Sequence, residues 1–490
     1  MVYCILNIYL KKQKKINRTS AVEQNMSLAL MPHLSHYRLG DGPVPLEDRV
    51  VVADRGYALD ARRVAQHVGL SGSSPDLLLT VREWSDGEVT PTFKLQSFDR
   101  FRAGYASADD QPQYGYGLRG KVVYLVHNLT GDYTPQDLAT KLGQIAFTAK
   151  YQGAEAVVVL AYTLNYSAQE RGVHDVGHTR MQGEKDRKRY DGQAPLLAQH
   201  LIMLLNSGVD AIVTPHNHSP TDVYRWISTI NDHYEPMSRA AVASGSTMRY
   251  QLKFAHVDLA PVLSAMLLQF GEKNFGLDLS DGGRNLVFMG PDAGIEYFVN
   301  AVHGTIGLPN ASKAILNKVR AADGTNIEEL VLASSYGLEL SRGIDGMDVV
   351  VVDDVIRSAG TVRSNISAIR GNPAANLRVN IPGRPRKVLV YASRSNLEAT
   401  ALSVLQDPAI DHLVLTNADD RAVERLKPLA GCSQVLFINF VMAQAARALE
   451  EGKDPNDVLT TRYIQEHNLL YLWQHEGHPL HPRTGRGGIV

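Results

Sequence analysis

Two adjacent acids, Asp353 and Asp354, follow an unbroken run of valines at 349–352. Such a run predicts a strand buried on both faces, as in a parallel sheet. The acids would then lie at the carboxyl end of the strand, where open α/β sheets bind their ligands. A short turn at 358–361 comes next, and helical sequence starts at Val362, so the turn would lie at a helix N-terminus that favours a phosphate. Acids for ribose hydroxyls beside a phosphate cradle predict a site for ribose 5-phosphate.

The turn after the acids consists of Ser358, Ala359, Gly360 and Thr361. Gly360 carries no side chain, so the backbone can approach a ligand closely. The strand and the acids alone would also fit a core strand that ends in a solvated Asp-Asp turn. With the small-residue turn attached, the sequence favours the ribose-phosphate site.

The bulk composition is that of an ordinary globular protein. The chain has 490 residues, of which 44% are hydrophobic and 21% are charged, and this length suits roughly two to four domains. The net charge of −1 gives no electrostatic footprint for nucleic acid or an anionic membrane surface, and no apolar run approaches the ~18 residues of a membrane span. Two cysteines, Cys4 and Cys432, argue against a disulfide framework and fit a reducing, cytoplasmic location.

Strand-like and helix-like segments alternate along the chain from Arg49. Strands are predicted at 121–128, 154–162 and 210–215, with helical spacing between them, and a second set comes after a less regular stretch at about 223–258. This alternation implies right-handed parallel crossovers. The predicted fold class is therefore α/β, with two lobes that are each a mostly parallel sheet flanked by helices.

The chain divides into four predicted segments. They are an N-terminal extension at 1–48, expected to be disordered; an N-terminal lobe at 49–222 with an insertion at 171–193; a C-terminal lobe at 223–452; and a mobile tail at 453–490. The last helix of the C-terminal lobe could pack on the N-terminal lobe. Met26 is a second candidate for the translation start, because the residues before it show no readable link to the rest of the chain. The insertion is polar and Gly-rich, which is typical of functional lids or disordered loops.

Residues 82–88 combine an aromatic side chain, two acids and a glycine turn between two strand-like segments. Trp84 could stack on a purine. Asp86 and Glu88 could accept hydrogen bonds from an exocyclic amine or a ribose hydroxyl, because carboxylates are acceptors. By chemistry alone an ordinary hairpin is the simpler interpretation, since S-D-G is a common turn.

Two further pairs of residues have spacings that could suit phosphoryl transfer or metal binding. Lys318 and Arg320 are two residues apart, which places them on one face of an extended segment. Cations so placed could stabilise a transferring phosphoryl group, although a solvated sheet edge is the commoner reason for such a pair. His216 and His218 form a His-x-His pair that can bind a metal, but without a Cys or acid in register it more often marks an ordinary loop.

The motifs, taken in their order along the chain, resemble those of the ribose-phosphate pyrophosphokinase (phosphoribosyl-pyrophosphate synthetase) family. The S-D-G-E turn at 85–88, the K-x-R pair at 318–320 and the DD-x4-AGT loop at 353–361 make a specific combination. The last of these also resembles the loop of type I phosphoribosyltransferases. The resemblance covers about 49–452 and implies that both lobes have the phosphoribosyltransferase type of fold.

The resemblance implies a role for each matching residue. The implied ATP-binding positions are Trp84, Asp86, Glu88, Gln169 and Arg171; the metal positions are His218 and Asp292; the catalytic positions are Lys318 and Arg320; and the ribose-phosphate-binding positions are Asp353, Asp354, Ser358, Ala359, Gly360 and Thr361. The implied reaction transfers pyrophosphate from ATP, with Mg²⁺, to the 1-hydroxyl of ribose 5-phosphate and yields phosphoribosyl pyrophosphate and AMP. In the family the S-D-G-E turn enters the ATP site of a neighbouring subunit, so a dimer-based homo-oligomer is implied, without nucleic acid or membrane as a partner.

Two positions depart from the family's pattern. Ala168 stands where an arginine usually faces the ATP phosphates, and Arg357 stands where the ribose-phosphate loop usually has an acid. Basic residues of the 171–193 insertion could supply the missing cation. The departures leave open a catalytically weak regulatory paralogue, or a pyrophosphokinase with a different ribose-phosphate acceptor whose extra phosphate Arg357 would bind. A glycosyl-transferring phosphoribosyltransferase shares only the ribose-phosphate loop, and the S-D-G-E, P-H-N-H and K-x-R elements argue against it.

Overall fold

A computed structural model describes a large part of the chain between residues 43 and 480. The described residues are 43–53, 58–70, 79–83, 89–93, 118–127, 135–166, 194–217, 219–244, 250–320, 327–338, 343–357, 359–370, 378–379, 383–395, 397, 401–418, 426, 429, 432–474 and 479–480. Most of the predicted N-terminal extension, residues 1–42, and the predicted insertion at 171–193 lie outside this set. No helix among the described residues is long and apolar enough to cross a membrane.

The first lobe is built on a parallel sheet that has five strands within the described residues. The strands of this lobe are β1 (Arg49–Ala53), β2 (Leu79–Glu83), β3 (Val89–Phe93), β4 (Val122–His127), β5 (Ala156–Ala161), β6 (Ala211–Pro215) and β7 (Lys253–Val257). The sheet has the order β1-β4-β5-β6-β7, and all neighbours run parallel. Every residue of β4 and β5 is buried, which is why their sequences are continuous apolar runs rather than alternating ones.

Helices connect these strands, and an antiparallel hairpin lies outside the main sheet. The helices are α1 (Ala58–His67), α2 (Pro135–Tyr151), α3 (Leu196–Asn206), α4 (Pro220–Ala243) and α5 (Ala260–Phe275), after a 3-10 turn at Leu46–Asp48. The helix α2 starts at the proline expected at a first helical position. The hairpin consists of β2 and β3, with Glu83 opposite Val89, so residues 84–88 form its connection.

The second lobe has a sheet of ten strands within the described residues. They are β8 (Leu286–Gly290), β9 (Ser312–Arg320), β10 (Ile327–Tyr336), β11 (Asp348–Ile356), β12 (Arg378–Val379), β13 (Lys387–Ser395), β14 (His412–Thr416), β15 (Ser433–Phe437), β16 (Tyr471–Gln474) and β17 (Pro479–Leu480). The order is β12-β10-β9-β8-β11-β13-β14-β15-β16-β17. From β9 to β15 all neighbours are parallel, whereas β10 and the two last strands add to the edges in antiparallel fashion.

The helices of the second lobe flank this sheet. They are α6 (Glu296–Thr305), α7 (Gly360–Arg370), α8 (Ala401–Leu405), α9 (Asn439–Glu450), α10 (Pro455–Val458) and α11 (Thr461–Glu466), with shorter helical turns at Ser280–Gly283 and Ala293–Ile295. The predicted fold class, two lobes with mostly parallel sheets flanked by helices, is confirmed.

Among the described residues, one of the three buried apolar clusters is shared by the two lobes. A single apolar cluster contains residues from both sheets together with residues of α5 and α9. At the end of α9, the fully buried Glu450 accepts hydrogen bonds from the Arg49 guanidinium at 2.6 Å and from the Tyr124 hydroxyl of the first lobe. A buried carboxylate needs such partners, because an unpaired buried charge is costly. The helix α9 of the second lobe is therefore joined to the first lobe by apolar packing and by an ion pair.

Two parts of the chain are more regular than the sequence suggested. The stretch at 223–258 contains most of α4 and all of β7, and β7 pairs with β6, so the first sheet continues past the boundary predicted at residue 222. The buried face of α4 is formed by Val223, Ile227 and Ile230, which follow helical spacing. Polar residues and Pro236 inside the helix obscured that spacing.

The segment expected to be a mobile tail, 453–490, contains regular secondary structure within residues 453–474 and 479–480. It contains α10 and α11, and β16 pairs antiparallel with β15. The sequence did not reveal this strand because its partner lies far away in the chain and the strand itself is short. Residues 475–478 and 481–490 lie outside the described set.

Candidate functional site

Asp353 and Asp354 lie in the carboxyl-terminal part of β11, as the sequence predicted. The four valines before them are completely buried, and β11 is flanked by two parallel strands, β8 and β13. The strand β8 pairs with β11 only as far as Val351, so the two acids extend beyond that neighbour. They therefore occupy the edge of the sheet at which α/β proteins bind ligands.

Asp353 and Asp354 form a buried pair of carboxylates. Each residue is only 8% exposed, and the backbone N–H of Asp354 donates to a carboxylate oxygen of Asp353 at 2.9 Å. Burial raises the pKa of Asp353, and the negative charges of Asp354 and Asp292 raise it further. Hydroxyl donors of a sugar or a divalent cation would offset this unfavourable concentration of negative charge.

The loop after β11 has the geometry of an anion cradle. Ala359 has a φ of +58°, in the left-handed region, and α7 begins directly after it at Gly360. A left-handed residue at the start of a helix turns successive N–H groups towards one point, and the helix dipole adds partial positive charge there. Thr361 lies in the first turn of α7, and Arg357 at the beginning of the loop is exposed. Ser358 lies outside the described residues.

The conformation of Ala359 leads to a stability prediction. A non-glycine residue at positive φ costs about 1–3 kcal/mol, and a β-branched residue is the least tolerant of it. We expect Ala359→Val to lower the free energy of unfolding by about 1–2 kcal/mol. We expect Ala359→Gly to change it by less than about 1 kcal/mol, because relief of strain and added flexibility of the unfolded chain oppose each other. Urea unfolding of the three proteins makes the comparison, and a valine variant as stable as the parent would contradict the strained geometry.

Asp292 follows β8 by two residues and belongs to the same end of the sheet. Its carboxylate accepts a hydrogen bond from the Gly294 N–H at 2.9 Å and so caps the short helical turn that precedes α6. The chain is tightly packed just before it, because a Cβ on Gly290 would lie 2.8 Å from the Ile315 Cδ1 atom of β9. The position of Asp292 is thus fixed by close packing of β8 against β9 and α6.

Arg394 is a residue of this site that the sequence analysis did not identify. It lies near the end of β13 and pairs in register with Val355 of β11. It is 7% exposed, and its Nη2 atom lies 3.7 Å from a carboxylate oxygen of Asp354. The available signal was a charged residue directly after the strand-like run at 386–393, at the same sheet edge as the two acids.

A second unanticipated contact joins the lobes beside the acids. Tyr297, at the start of α6, places its hydroxyl 3.1 Å from the Nε2 atom of His216, which follows β6. The two rings are stacked with centroids 5.7 Å apart, and the Phe298 ring lies 3.9 Å from the same imidazole. Burial raises the pKa of Tyr297, and the charge of Asp354 raises it further. The first member of the His-x-His pair is therefore buried against the second lobe rather than exposed in a loop.

Several predicted site residues cannot be placed in this geometry. Trp84, Asp86, Glu88, Gln169, Arg171 and His218 lie outside the described residues, as does Ala168. The backbone of Lys318 and Arg320 belongs to β9, so the predicted extended segment is present, whereas their side chains are not described.

The described residues offer oxygen donors for a metal ion, but they do not form a complete group of ligands. Within the described part of the chain, no three His, Cys, Asp or Glu side chains are grouped as metal ligands. The carboxylates of Asp353, Asp354 and Asp292 are nevertheless close enough to raise the pKa of one of them. Oxygen donors of this kind suit a hard divalent cation such as Mg²⁺, which is commonly held by one or two carboxylates together with substrate phosphates.

Comparison with known proteins agrees with this geometry. Residues 267–380, which include β8, β9, β11 and the loop before α7, match the phosphoribosyl transferase domain family. A solved structure, that of phosphoribosylpyrophosphate synthetase from Mycobacterium smegmatis, superimposes with a TM-score of 0.54 at 15% sequence identity, covering 82% of this chain and 99% of that one. At this identity the match shows a shared fold. No curated protein matches the chain in a sequence search. The resemblance predicted from the sequence is confirmed at the level of the fold and of the phosphoribosyl transferase domain.

Proposed function

We propose that this chain, which has the fold of a phosphoribosylpyrophosphate synthetase and carries a phosphoribosyl transferase domain, is a ribose-phosphate diphosphokinase. It would transfer the β,γ-pyrophosphoryl group of ATP to the 1-hydroxyl of ribose 5-phosphate and release AMP. The observation that carries the proposal is the pairing of Asp353 and Asp354 with the left-handed turn at Ala359 and the start of α7. Carboxylates for sugar hydroxyls and N–H groups for a phosphate, on one loop, are the elements that a ribose phosphate needs.

The transfer itself requires positioning and neutralisation of charge rather than a covalent intermediate. The acceptor hydroxyl loses its proton to solvent as its oxygen attacks the β-phosphorus. The bond between the β-phosphorus and the oxygen that bridges to the α-phosphate breaks, and AMP leaves with the electron pair. Lys318 and Arg320, two residues apart on β9, would present their cations to the transferring group. Cations aimed at charge that develops in the transition state accelerate the reaction without tightening substrate binding.

Mg²⁺ would accompany the nucleotide, with Asp292 and His218 as its protein ligands. When bound, the ion would neutralise phosphate charge. Trp84, Asp86 and Glu88, in the connection of the β2–β3 hairpin, together with Gln169 and Arg171, would bind the base and ribose of ATP. We propose that the hairpin serves the nucleotide site of a neighbouring copy, so the active form would be a homo-oligomer.

The second candidate is a pyrophosphokinase with a different acceptor. Arg357 is exposed next to the two acids, where its guanidinium could bind an additional phosphate. A catalytically weak regulatory paralogue is the third candidate, and Ala168 in place of a cation is its support.

Formation of AMP tests these candidates. The protein is incubated with Mg-ATP and, separately, ribose 5-phosphate, a ribose bisphosphate or ADP-ribose. AMP that appears with ribose 5-phosphate supports the proposed function, and AMP that appears only with an acceptor that carries a second phosphate supports the second candidate. No AMP with any acceptor would reject both and favour the regulatory paralogue.

Arg357 provides a specificity prediction. If the natural acceptor carries a second anionic group, Arg357→Asp should shift the ratio of kcat/KM values towards plain ribose 5-phosphate by about tenfold or more, because one charge-assisted contact is lost and a repulsion is gained. If the acceptor is ribose 5-phosphate, the ratio should stay within about threefold. The kcat/KM values for ribose 5-phosphate and a ribose bisphosphate are compared in both proteins, with Arg363→Asp on the first turns of α7 as the matched control. A ratio that moves equally in the control would exclude a direct role for Arg357.

A further inference from the structure

Arg394 brings a cation into a buried position that the proposed chemistry has not yet used. It belongs to β13, the neighbour of β11, and it is 7% exposed. Burial lowers its pKa, whereas the charges of Asp354 and Tyr297 raise it and the nearby Arg357 lowers it. A buried guanidinium is tolerated only where charged or hydrogen-bonding groups compensate for the lost hydration. At this position the carboxylate of Asp354, 3.7 Å away, is a compensating group.

The same guanidinium is electrostatically linked to the contact between the lobes. Tyr297 lies within the influence of both Asp354 and Arg394, because the charge of Asp354 raises its pKa and that of Arg394 lowers it. The Tyr297 hydroxyl in turn lies 3.1 Å from the His216 Nε2 atom and 3.5 Å from the backbone oxygen of Asn217. Tyr297 therefore contacts the segment that follows β6 and is also influenced by the charges of Asp354 and Arg394.

That segment is held in an unusual conformation. His216 has a φ of +37°, in the left-handed region, and it is completely buried. Its N–H donates to the Val257 carbonyl at 2.8 Å. A strained backbone persists only when its surroundings fix it. Here the stacked Tyr297 ring and the tilted Phe298 ring of the second lobe provide those surroundings.

We propose that Arg394 is a positioning residue that orients Asp354 for the acceptor and, through Tyr297, ties the acceptor loop to the segment after β6. The proposal rests on the function proposed above. It assigns to Arg394 no contact with the reacting atoms. Arg394 would act by holding the Asp354 carboxylate in place and by keeping the position of the two lobes fixed relative to each other at the site.

Arg386 offers a matched control for this role. It precedes β13 at the opposite end of the same strand and also pairs with a buried acid of β11, Asp348. Its partner acid is likewise buried, whereas the Arg386 side chain itself is 45% exposed, and the pair lies at the amino end of the sheet, away from the candidate site. If either arginine contributed only to stability, its replacement should lower the melting temperature without changing the affinity for ribose 5-phosphate.

Calorimetric titration of each ligand separately provides the test. The parent protein is titrated first with ribose 5-phosphate and with Mg-ATP; failure to bind ribose 5-phosphate would reject the proposed function before Arg394 is considered. If the parent protein binds ribose 5-phosphate, we expect Arg394→Met to lower the affinity for this ligand by about tenfold. Arg394→Lys should restore part of the affinity, and Arg386→Met should lower the melting temperature while leaving the affinity unchanged.

A double-mutant cycle tests the link to the other lobe. If Arg394 acts with Tyr297, the losses of ribose 5-phosphate affinity in Arg394→Met and Tyr297→Phe should not multiply in the double variant. Multiplying losses would overturn the link through Tyr297. Should the methionine variant fail to fold, Arg394→Gln takes its place in every measurement. An affinity for ribose 5-phosphate that is unchanged in the folded variant, or reduced no more than in Arg386→Met, would overturn the positioning role.

Discussion

Replacing Lys318 with alanine is expected to lower kcat by about 100- to 1,000-fold while the fold remains intact. The magnitude is that of removing one preorganised group that stabilises charge in a transition state. Because this charge develops only during transfer, kcat should fall far more than the KM of either substrate rises. Steady-state measurement of AMP formation with Mg-ATP and ribose 5-phosphate provides the numbers.

A lysine on the same strand serves as the control for this experiment. Lys313 of β9 donates to the Asn300 side chain at 2.6 Å and lies over the Tyr336 ring, on a partly exposed surface. We expect Lys313→Ala to leave kcat within about twofold of the parent value, because a surface contact of this kind is weak. If the two alanine variants have the same kcat, Lys318 does not act in the transition state.

Replacing Asp353 and Asp354 together by asparagine is expected to lower the affinity for ribose 5-phosphate by about 100-fold. The affinity for Mg-ATP should fall by much less. Each carboxylate would accept a hydrogen bond from a sugar hydroxyl, and charge-assisted hydrogen bonds of this kind are worth about 1.5–3 kcal/mol each. Titration of each ligand alone separates the two affinities. Equal losses for both ligands would argue against a dedicated ribose site.

The two single variants should differ in stability, and this difference checks the geometry independently of activity. Burial raises the pKa of Asp353, so the folded state holds its proton more tightly than the unfolded state does. Stability from this group is then lost as the pH rises above the ordinary aspartate value of about 4. The asparagine of the Asp353→Asn variant cannot ionise. This variant should therefore have a higher melting temperature than the parent at pH 8, and the difference should be smaller at pH 5. Asp354→Asn should lower it, because the buried Arg394 loses a compensating charge.

The sequence alone was sufficient to predict the fold class, the strand β11 and the position of its acids. A run of valines is a local signal, and its burial between two parallel strands follows from composition. The start of α7, predicted at Val362 and found at Gly360, and the two strands on either side of 84–88 are equally local, since turn residues and helix starts act over a few positions.

Only the tertiary structure decided which distant groups meet at this edge of the sheet. The approach of Arg394 to Asp354 depends on the parallel register of β13 with β11, and the stacking of Tyr297 on His216 depends on how the lobes pack. The pairing of β16 with β15 and the addition of β7 to the first sheet are likewise contacts between separate elements. Such contacts leave no periodic signal in the chain, because a side chain's partner across a sheet or a lobe interface is set by register and packing rather than by its sequence neighbours.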